Sequence, residues 1–242
     1  MNTGNVLRSV DRMAEFLSKT WREWQGYIFF FVLVWIPVRS AVVDYSPVPT
    51  GSMNPTILEG DVAWIDKLAY SLRVPLTTIH MKQWGGEPAR GDIVVVLSPE
   101  DGTRLVKRIV GIPGDTIAMK DNQLLLNGEF ATYSQAARDY EPEIAETLRP
   151  HAFFAEEDLD GVTHAVMGIS IAPETRRDLS PVTVPADRYF LMGDSRDNSH
   201  DSRVYGFAER DAILGQAKGI LVSLDINDTY LPSFSRIFTP LR

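Results

Sequence analysis

The chain of 242 residues contains no cysteine. That absence removes thiolate metal sites, catalytic thiols and disulfides together, and it is compatible with an oxidising compartment without demonstrating one. Basic residues are also short: 24 Lys and Arg against 32 Asp and Glu leave a formal charge of −8. No Lys/Arg cluster offsets the deficit, so nothing supplies the basic face that nucleic acid would need as a partner. Histidine occurs only at His80, His151, His164 and His200. Internal repeats and low-complexity tracts are missing. What remains is a globular composition, 44% hydrophobic and 23% charged, in a chain long enough for one large or two modest domains.

Only one long apolar run occurs. Residues 26–43 form an 18-residue span whose single charge is Arg39. Such a span lies near the short end of what crosses a bilayer, about 17 to 25 residues. Trp21, Trp24, Tyr27 and Trp35 suit the interface, and Arg39 is placed to reach headgroups at the far edge. A cleaved secretory leader would have a shorter apolar core and a better exit site than Ser40-Ala41. A buried core helix is the other alternative. The span is read as one uncleaved anchor. Cationic residues before it predict an inside N-terminus, with residues 1–25 cytoplasmic and the chain from about Asp44 onward outside.

Beyond the anchor, Gly60 to Asp66, Ile93 to Leu97, Leu105 to Val110, Thr116 to Met119 and Gln123 to Leu126 read as short strands. Ser98 to Gly102, Asp121-Asn122 and Asn127-Gly128 supply turns between them. The expectation is a mostly β protein, with an antiparallel sheet or barrel-like catalytic domain formed by residues 44–133 and 182–226. Strand character resumes at Val182 to Met192, and Ala217 to Leu224 closes the domain. Residues 134–181 change texture. They read as an inserted α+β lobe, with an acidic helical stretch over Ser134 to Leu148 and an apolar piece over Ala165 to Ile171. The C-terminal tail, 227–242, gives no signal.

Three polar stretches carry the candidate chemistry. In Pro49-Thr50-Gly51-Ser52-Met53-Asn54-Pro55-Thr56, glycine and flanking prolines hold a serine in a stiff, irregular segment. A serine hydroxyl attacks only when a base takes its proton. Three histidines lie in connections or in the inserted lobe. His200 sits between Ser199 and Asp201, where sequence neighbours rarely face one another, so a Ser-His-Asp triad is poorly supported. A lysine serves if burial makes it neutral, and Lys107 lies among Leu105, Val106, Ile109 and Val110. Strand alternation puts Lys107 on one face and Arg108 on the other. If the Leu105 and Ile109 face is inward, Lys107 is buried and Arg108 exposed; otherwise both solvate an edge strand. The loop Gly193 to Arg203 is dense in polar groups that must satisfy one another. Asp201 with Arg203 suits a brace, and Ser199 suits an orienting hydroxyl. Its Asp/Asn alternation resembles a calcium loop only loosely and does not match the EF-hand pattern, so no metal and no cofactor is assigned.

In that order, Pro49 to Thr56, Arg90 to Val95, Val106 to Asp115 and Gly193 to Arg203 make the chain resemble bacterial type I signal peptidases (leader peptidases), of the Ser-Lys serine protease class. The resemblance implies Ser52 as nucleophile and Lys107 as general base. It implies the Ser52 N–H and the Thr50 hydroxyl as oxyanion donors, Ser199 as the hydroxyl bonded to the lysine, and Asp201 with Arg203 as a structural pair beside Gly193. Val48, Pro49, Met53, Ile57, Leu105 and Val106 fall where the family lines shallow pockets for small residues. Signal-peptide-bearing preproteins and the lipid bilayer are the implied partners, and the protein is expected to act as a monomer. The implied location is the inner (cytoplasmic) membrane, single-pass, with the catalytic domain on the outer side. His200, Leu105 and Asn54 depart from the family's pattern, which bears on substrate preference. The alternatives are a conjugative-transfer or pilin-maturation peptidase of the same chemistry, or a membrane-tethered β-domain used for binding or assembly.

Overall fold

The computed structural model describes residues 19–36, 42–73, 80–83, 86–136, 140, 144–172, 177–226 and 231–241. In chain order the strands are β1 (Val43–Pro47), β2 (Asp61–Asp66), β3 (Ser71–Arg73), β4 (His80–Gln83), β5 (Ile93–Leu97), β6 (Arg104–Gly111), β7 (Thr116–Lys120) and β8 (Gln123–Leu126). They continue as β9 (Glu129–Phe130), β10 (Thr132–Gln135), β11 (Ala152–Leu159), β12 (Val162–Ile169), β13 (Leu179–Thr183), β14 (Arg188–Met192), β15 (Ala208–Glu209) and β16 (Ile213–Ser223). The protein is mostly β, and its paired strands run antiparallel. A seven-stranded sheet in the order β1-β2-β16-β5-β6-β14-β15 forms the frame.

Burial explains the middle of this sheet. β5 lies between β16 and β6, so its Ile93, Val94, Val95 and Val96 are all buried and the run shows no alternation. One core cluster (Val48, Met53, Ile57, Ala63, Ile65, Ile93, Val95, Val106, Ala217, Ile220) lies on one side, and Val94, Val96, Ile109 and Leu191 belong to another. The sheet therefore packs on both faces. Two tight turns match their sequence signals: Asp121 and Asn122 have φ of 51° and 65° between β7 and β8, and Asn127 and Gly128 have 54° and 90° between β8 and β9.

The inserted region differs from expectation. Ser134 and Gln135 end strand β10, and β10-β11-β12 make a three-stranded antiparallel sheet where an α+β lobe was expected. Of the stretch expected to be helical, Ser134 to Leu148, residues 137–139 and 141–143 lie outside the described residues; the described remainder of 134–181 holds no α-helix, and Glu156 and Glu157 lie in strand β11. The turn that joins β11 to β12 is Asp160-Gly161, an Asp-Gly hairpin dipeptide with φ of 56° and 88°. Leu159 of β11 enters a core cluster with Val110, Phe190 and Met192, so this sheet packs directly on the catalytic frame. The C-terminal residues are also built in. Pro232 and Pro240 bridge to Leu224 and Gly219.

At the N-terminus residues 19–30 are α-helical and continue into a π-helical turn, Phe31–Trp35. No helix among the described residues is long and apolar enough to cross a membrane. Residues 1–18 and 37–41, which hold parts of the expected cytoplasmic segment and of the expected anchor, lie outside the described residues.

Candidate active site

Ser52 sits in a 3-10 turn, Gly51–Met53, entered from an extended Thr50. A Cβ at Gly51 would lie 2.5 Å from Glu59 Oε1 and 2.6 Å from Asn54 Nδ2, so the ends of these two side chains would have to shift to admit one. The turn is closed by Asn54 N–H donating to Gly51 O and Ile57 N–H donating to Met53 O. Lys107 lies in the middle of β6, opposite Val94 of β5. Its Nζ donates to Ser52 Oγ across 2.6 Å. Lys107 is only 3% exposed. Burial among apolar groups pushes its pKa down from 10.5 to about 8, against the opposing pull of Asp201 and Asp194. With a neutral amine the same contact runs the other way, the hydroxyl donating to nitrogen. The pair can therefore exchange a proton at ordinary pH.

The loop after β14 supports this pair from behind. Gly193 N–H donates to Asp201 Oδ2 (3.0 Å), and Arg203 binds the same carboxylate through Nε and Nη2 at 2.8 Å each. Burial tends to raise the Asp201 pKa, but the Arg203 guanidinium and the Gly193 N–H bring it below the usual carboxylate value. A Cβ on Gly193 would fall 2.3 Å from both Ser199 Oγ and Ser52 O, so only glycine lets these two strands of loop meet. Ser195 N–H donates to Ser52 O at 3.2 Å, a direct tie between support loop and nucleophile turn.

Several expectations need correction. Lys107 and Arg108 are both buried; neither solvates an edge, and Arg108 is not exposed. β6 is an interior strand, and Arg108 reaches the opposite face, where Nε and Nη2 donate to Asp194 at 2.8 Å each. The hydrogen bond expected between Ser199 and the lysine is not made. The lysine contact goes to Ser52, and the buried Ser199 hydroxyl lies instead beside Asp201, whose pKa it helps to lower. His200 faces outward and pairs with Glu100 at 2.7 Å, well outside any triad with Ser52. Val48, Met53, Ile57 and Val106 come together in one core cluster beneath the serine turn. Leu105 packs with the other cluster, and Pro49 and Thr50 are exposed.

Sequence reasoning missed a second interior network. Asp194 accepts from Arg108 and from Thr56 Oγ1 (2.5 Å), so it joins the serine turn to the strand of the lysine. Beside it, Glu157 of β11 binds Arg196 and the Tyr133 hydroxyl, with His164 Nε2 at 3.4 Å. Burial and the neighbouring Arg108 push the His164 pKa down to about 4, so this histidine is neutral near pH 7. Nothing in strand alternation marks a buried charge, because its partner comes from a distant segment. A cleft of about 340 Å³ beside this network, lined by Asn122, Tyr133, Phe153, Met167, Arg177 and Arg196 among others, includes neither Ser52 nor Lys107.

A serine hydroxyl against a buried amine, in a β frame and with no histidine bonded to it among the described residues, belongs with hydrolases that pair serine with lysine. Comparison with known proteins narrows this. Residues 21–222 match the family described as signal peptidase, peptidase S26, and the chain belongs to that family. It is 33% identical over 223 residues to signal peptidase I of Pseudomonas aeruginosa, covering 87% of this chain and 75% of that one. It is 30% identical over 234 residues to signal peptidase I of Rickettsia canadensis, covering 90% and 85%. A crystal structure of a signal peptidase I from Enterococcus faecalis aligns with a TM-score of 0.32 and 27% identity, over 54% of this chain and 97% of that one.

Proposed function

We propose that the protein is a membrane-anchored serine endopeptidase that removes N-terminal signal peptides from exported preproteins, with Ser52 as nucleophile and Lys107 as general base. The observation that carries this reading is the 2.6 Å contact between the Ser52 hydroxyl and a buried amine whose pKa falls to about 8. Neutral Lys107 takes the hydroxyl proton as Ser52 attacks the carbonyl carbon. The tetrahedral oxyanion is met by the Ser52 N–H and the Thr50 hydroxyl, donors of a kind worth a few kcal/mol each. Collapse expels the amine of the mature protein, which takes the proton from Lys107 and leaves an acyl-enzyme. Lys107 then activates water to release the signal peptide. Exposed Pro49 beside Ser52 would meet the small side chains before the cut, over a floor of buried Val48, Met53, Ile57 and Val106.

The lipid partner and the location belong to the same proposal. Trp21, Trp24 and the residues from Tyr27 to Trp35 are exposed on the N-terminal helix among the described residues. On the catalytic frame Tyr45 and Trp64 are partners across β1 and β2, and both are exposed. Aromatic residues so placed suit a bilayer interface, which would set the catalytic domain against the outer face of the inner membrane. Protease treatment of spheroplasts tests this; digestion of the catalytic domain only after the membrane is breached would reject it.

The activity is tested with full-length Ser52→Ala and Lys107→Met in detergent, acting on a preprotein. Each is expected to cut cleavage by at least about 10³-fold, the scale of losing a nucleophile or its base. Cleavage by either variant at a rate near the wild type rejects the dyad.

A further inference from the structure

The family match ends at residue 222, and the segment 231–241 beyond it had no reading from sequence. Its one deeply placed side chain is Arg236, 7% exposed. Arg236 Nη2 donates to Asp61 Oδ2 at 2.6 Å and to the carbonyl oxygen of Thr56 at 3.2 Å. Asp61 is fully buried, and the same Oδ2 accepts from Leu58 N–H at 2.8 Å. Arg236 therefore grips both ends of the turn 56–61 that follows the nucleophile. The other side of Thr56 is held as well, its hydroxyl donating to Asp194 at 2.5 Å. Between these two anchors, Ile57 N–H donates to Met53 O and closes the turn on Ser52.

The rest of the tail fixes Arg236 itself. Ser233 N–H donates to Ser223 O, Thr239 O accepts from Ile220 N–H, and Leu241 N–H donates to Lys218 O. The segment thus lies along the end of β16, which pairs with β2, the strand that begins at Asp61. Gly60 is pressed by the same region, since a Cβ there would lie 2.1 Å from Leu224 O. The turn after Ser52 has little room to shift unless the tail moves. A misplacement of about 1 Å at a reacting group can cost on the order of 10²-fold in rate.

We propose that the C-terminal segment 231–241 is a positioning element of the active site, acting through Arg236 on the turn that sets Ser52 against Lys107. The proposal rests on the reading of Ser52 as nucleophile. Arg236 does not touch substrate; it acts through Asp61 and Thr56.

The test uses the full-length protein in detergent with a preprotein substrate, measuring kcat, KM and thermal midpoint together. Arg236→Ala leaves the Asp61 carboxylate buried and unpaired and can unfold the protein, so the informative variant is Asp61→Asn with Arg236→Met, which leaves no orphan charge. The expected result is a folded double variant with kcat down 10- to 100-fold and KM within about threefold of wild type. The pH at which kcat/KM is half its plateau should stay put, because neither change contacts Lys107. Arg236→Lys, which keeps a charge for Asp61 but loses the planar fork, should recover thermal midpoint more than kcat. A kcat within threefold of wild type in the double variant, or a loss confined to KM, overturns the proposal. Ser52→Ala run alongside separates the two failures: if it still cleaves, the reading of the nucleophile falls, and if it is dead while the Arg236 variants are normal, only the role of the tail does.

Discussion

Lys107 is an amine held near a pKa of about 8 by burial, and that gives both activity and stability a definite pH dependence. The active form is neutral, so kcat/KM should fall about tenfold per pH unit below that value and level off above it. A profile from pH 6 to 10 at fixed salt checks the slope, and a flat profile through pH 8 would remove Lys107 as the base. The stability effect has the opposite utility. Between about 8 and 10.5 the unfolded chain binds a proton that the folded chain refuses, so folding gains stability as pH rises through this window and carries the full cost below it. That cost is on the order of 3 kcal/mol, taking 1.36 kcal/mol per unit. Lys107→Met should therefore be inactive yet melt higher than wild type at pH 7, with the advantage shrinking toward pH 10. At this scale the residue types were legible in the sequence: a serine in a rigid turn and a lysine among aliphatics. Their contact was not, because 55 positions separate them along the chain.

Strand β6 shows what can and cannot be read from an element. Its existence followed from its place as the returning strand after the Ser98 to Gly102 turn, expected over Leu105 to Val110 and observed over Arg104–Gly111. Its burial did not, because alternation predicts one wet face and β6 has none from Val106 to Gly111. The frame supplies strands on both edges, and Asp194 supplies a counter-charge on the face where Arg108 points. Removing one member of such a buried pair commonly costs about 3–5 kcal/mol. Asp194→Ala should show that loss in urea unfolding, and unfolding within 1 kcal/mol of wild type would refute the pairing. Gly193→Ala should be as harmful for a steric reason. The added methyl meets a backbone carbonyl, that of Ser52, as well as Ser199 Oγ, and the carbonyl cannot swing aside. Activity should fall by about 10²-fold or more without any change in charge, and wild-type cleavage by this variant would show that the loop relaxes freely.

Across the whole molecule the interior polar network joins the inserted sheet to the catalytic frame, and it should fail in acid. Glu157, Asp194 and Asp201 are all held below their usual values by arginine partners, so their stabilisation is present at neutral pH and lost as pH falls through those lowered values. His164 acts earlier. Its pKa near 4 lies below the ordinary 6.5, so the unfolded chain gains a proton first and stability declines as pH drops from 6.5 to 4. The urea midpoint should fall over that range, and His164→Gln should flatten the decline. An unchanged slope in that variant would assign it to other groups.

The sequence by itself determined the residue chemistry, the antiparallel β character of the frame, the turns at Asn127-Gly128 and Asp121-Asn122 that join β7, β8 and β9, and the exclusion of thiol chemistry. Those properties are local or compositional, and each is set by a few neighbouring side chains. Only the tertiary structure decided that Lys107 and Arg108 are both dry, that Ser199 does not bond the lysine, that the inserted region contributes the sheet β10-β11-β12, and that Arg236 from the far end of the chain holds the turn 56–61 that follows the serine. Each of these depends on a partner from a remote segment, and the free energy of burying a charge is fixed by that partner rather than by the residues beside it.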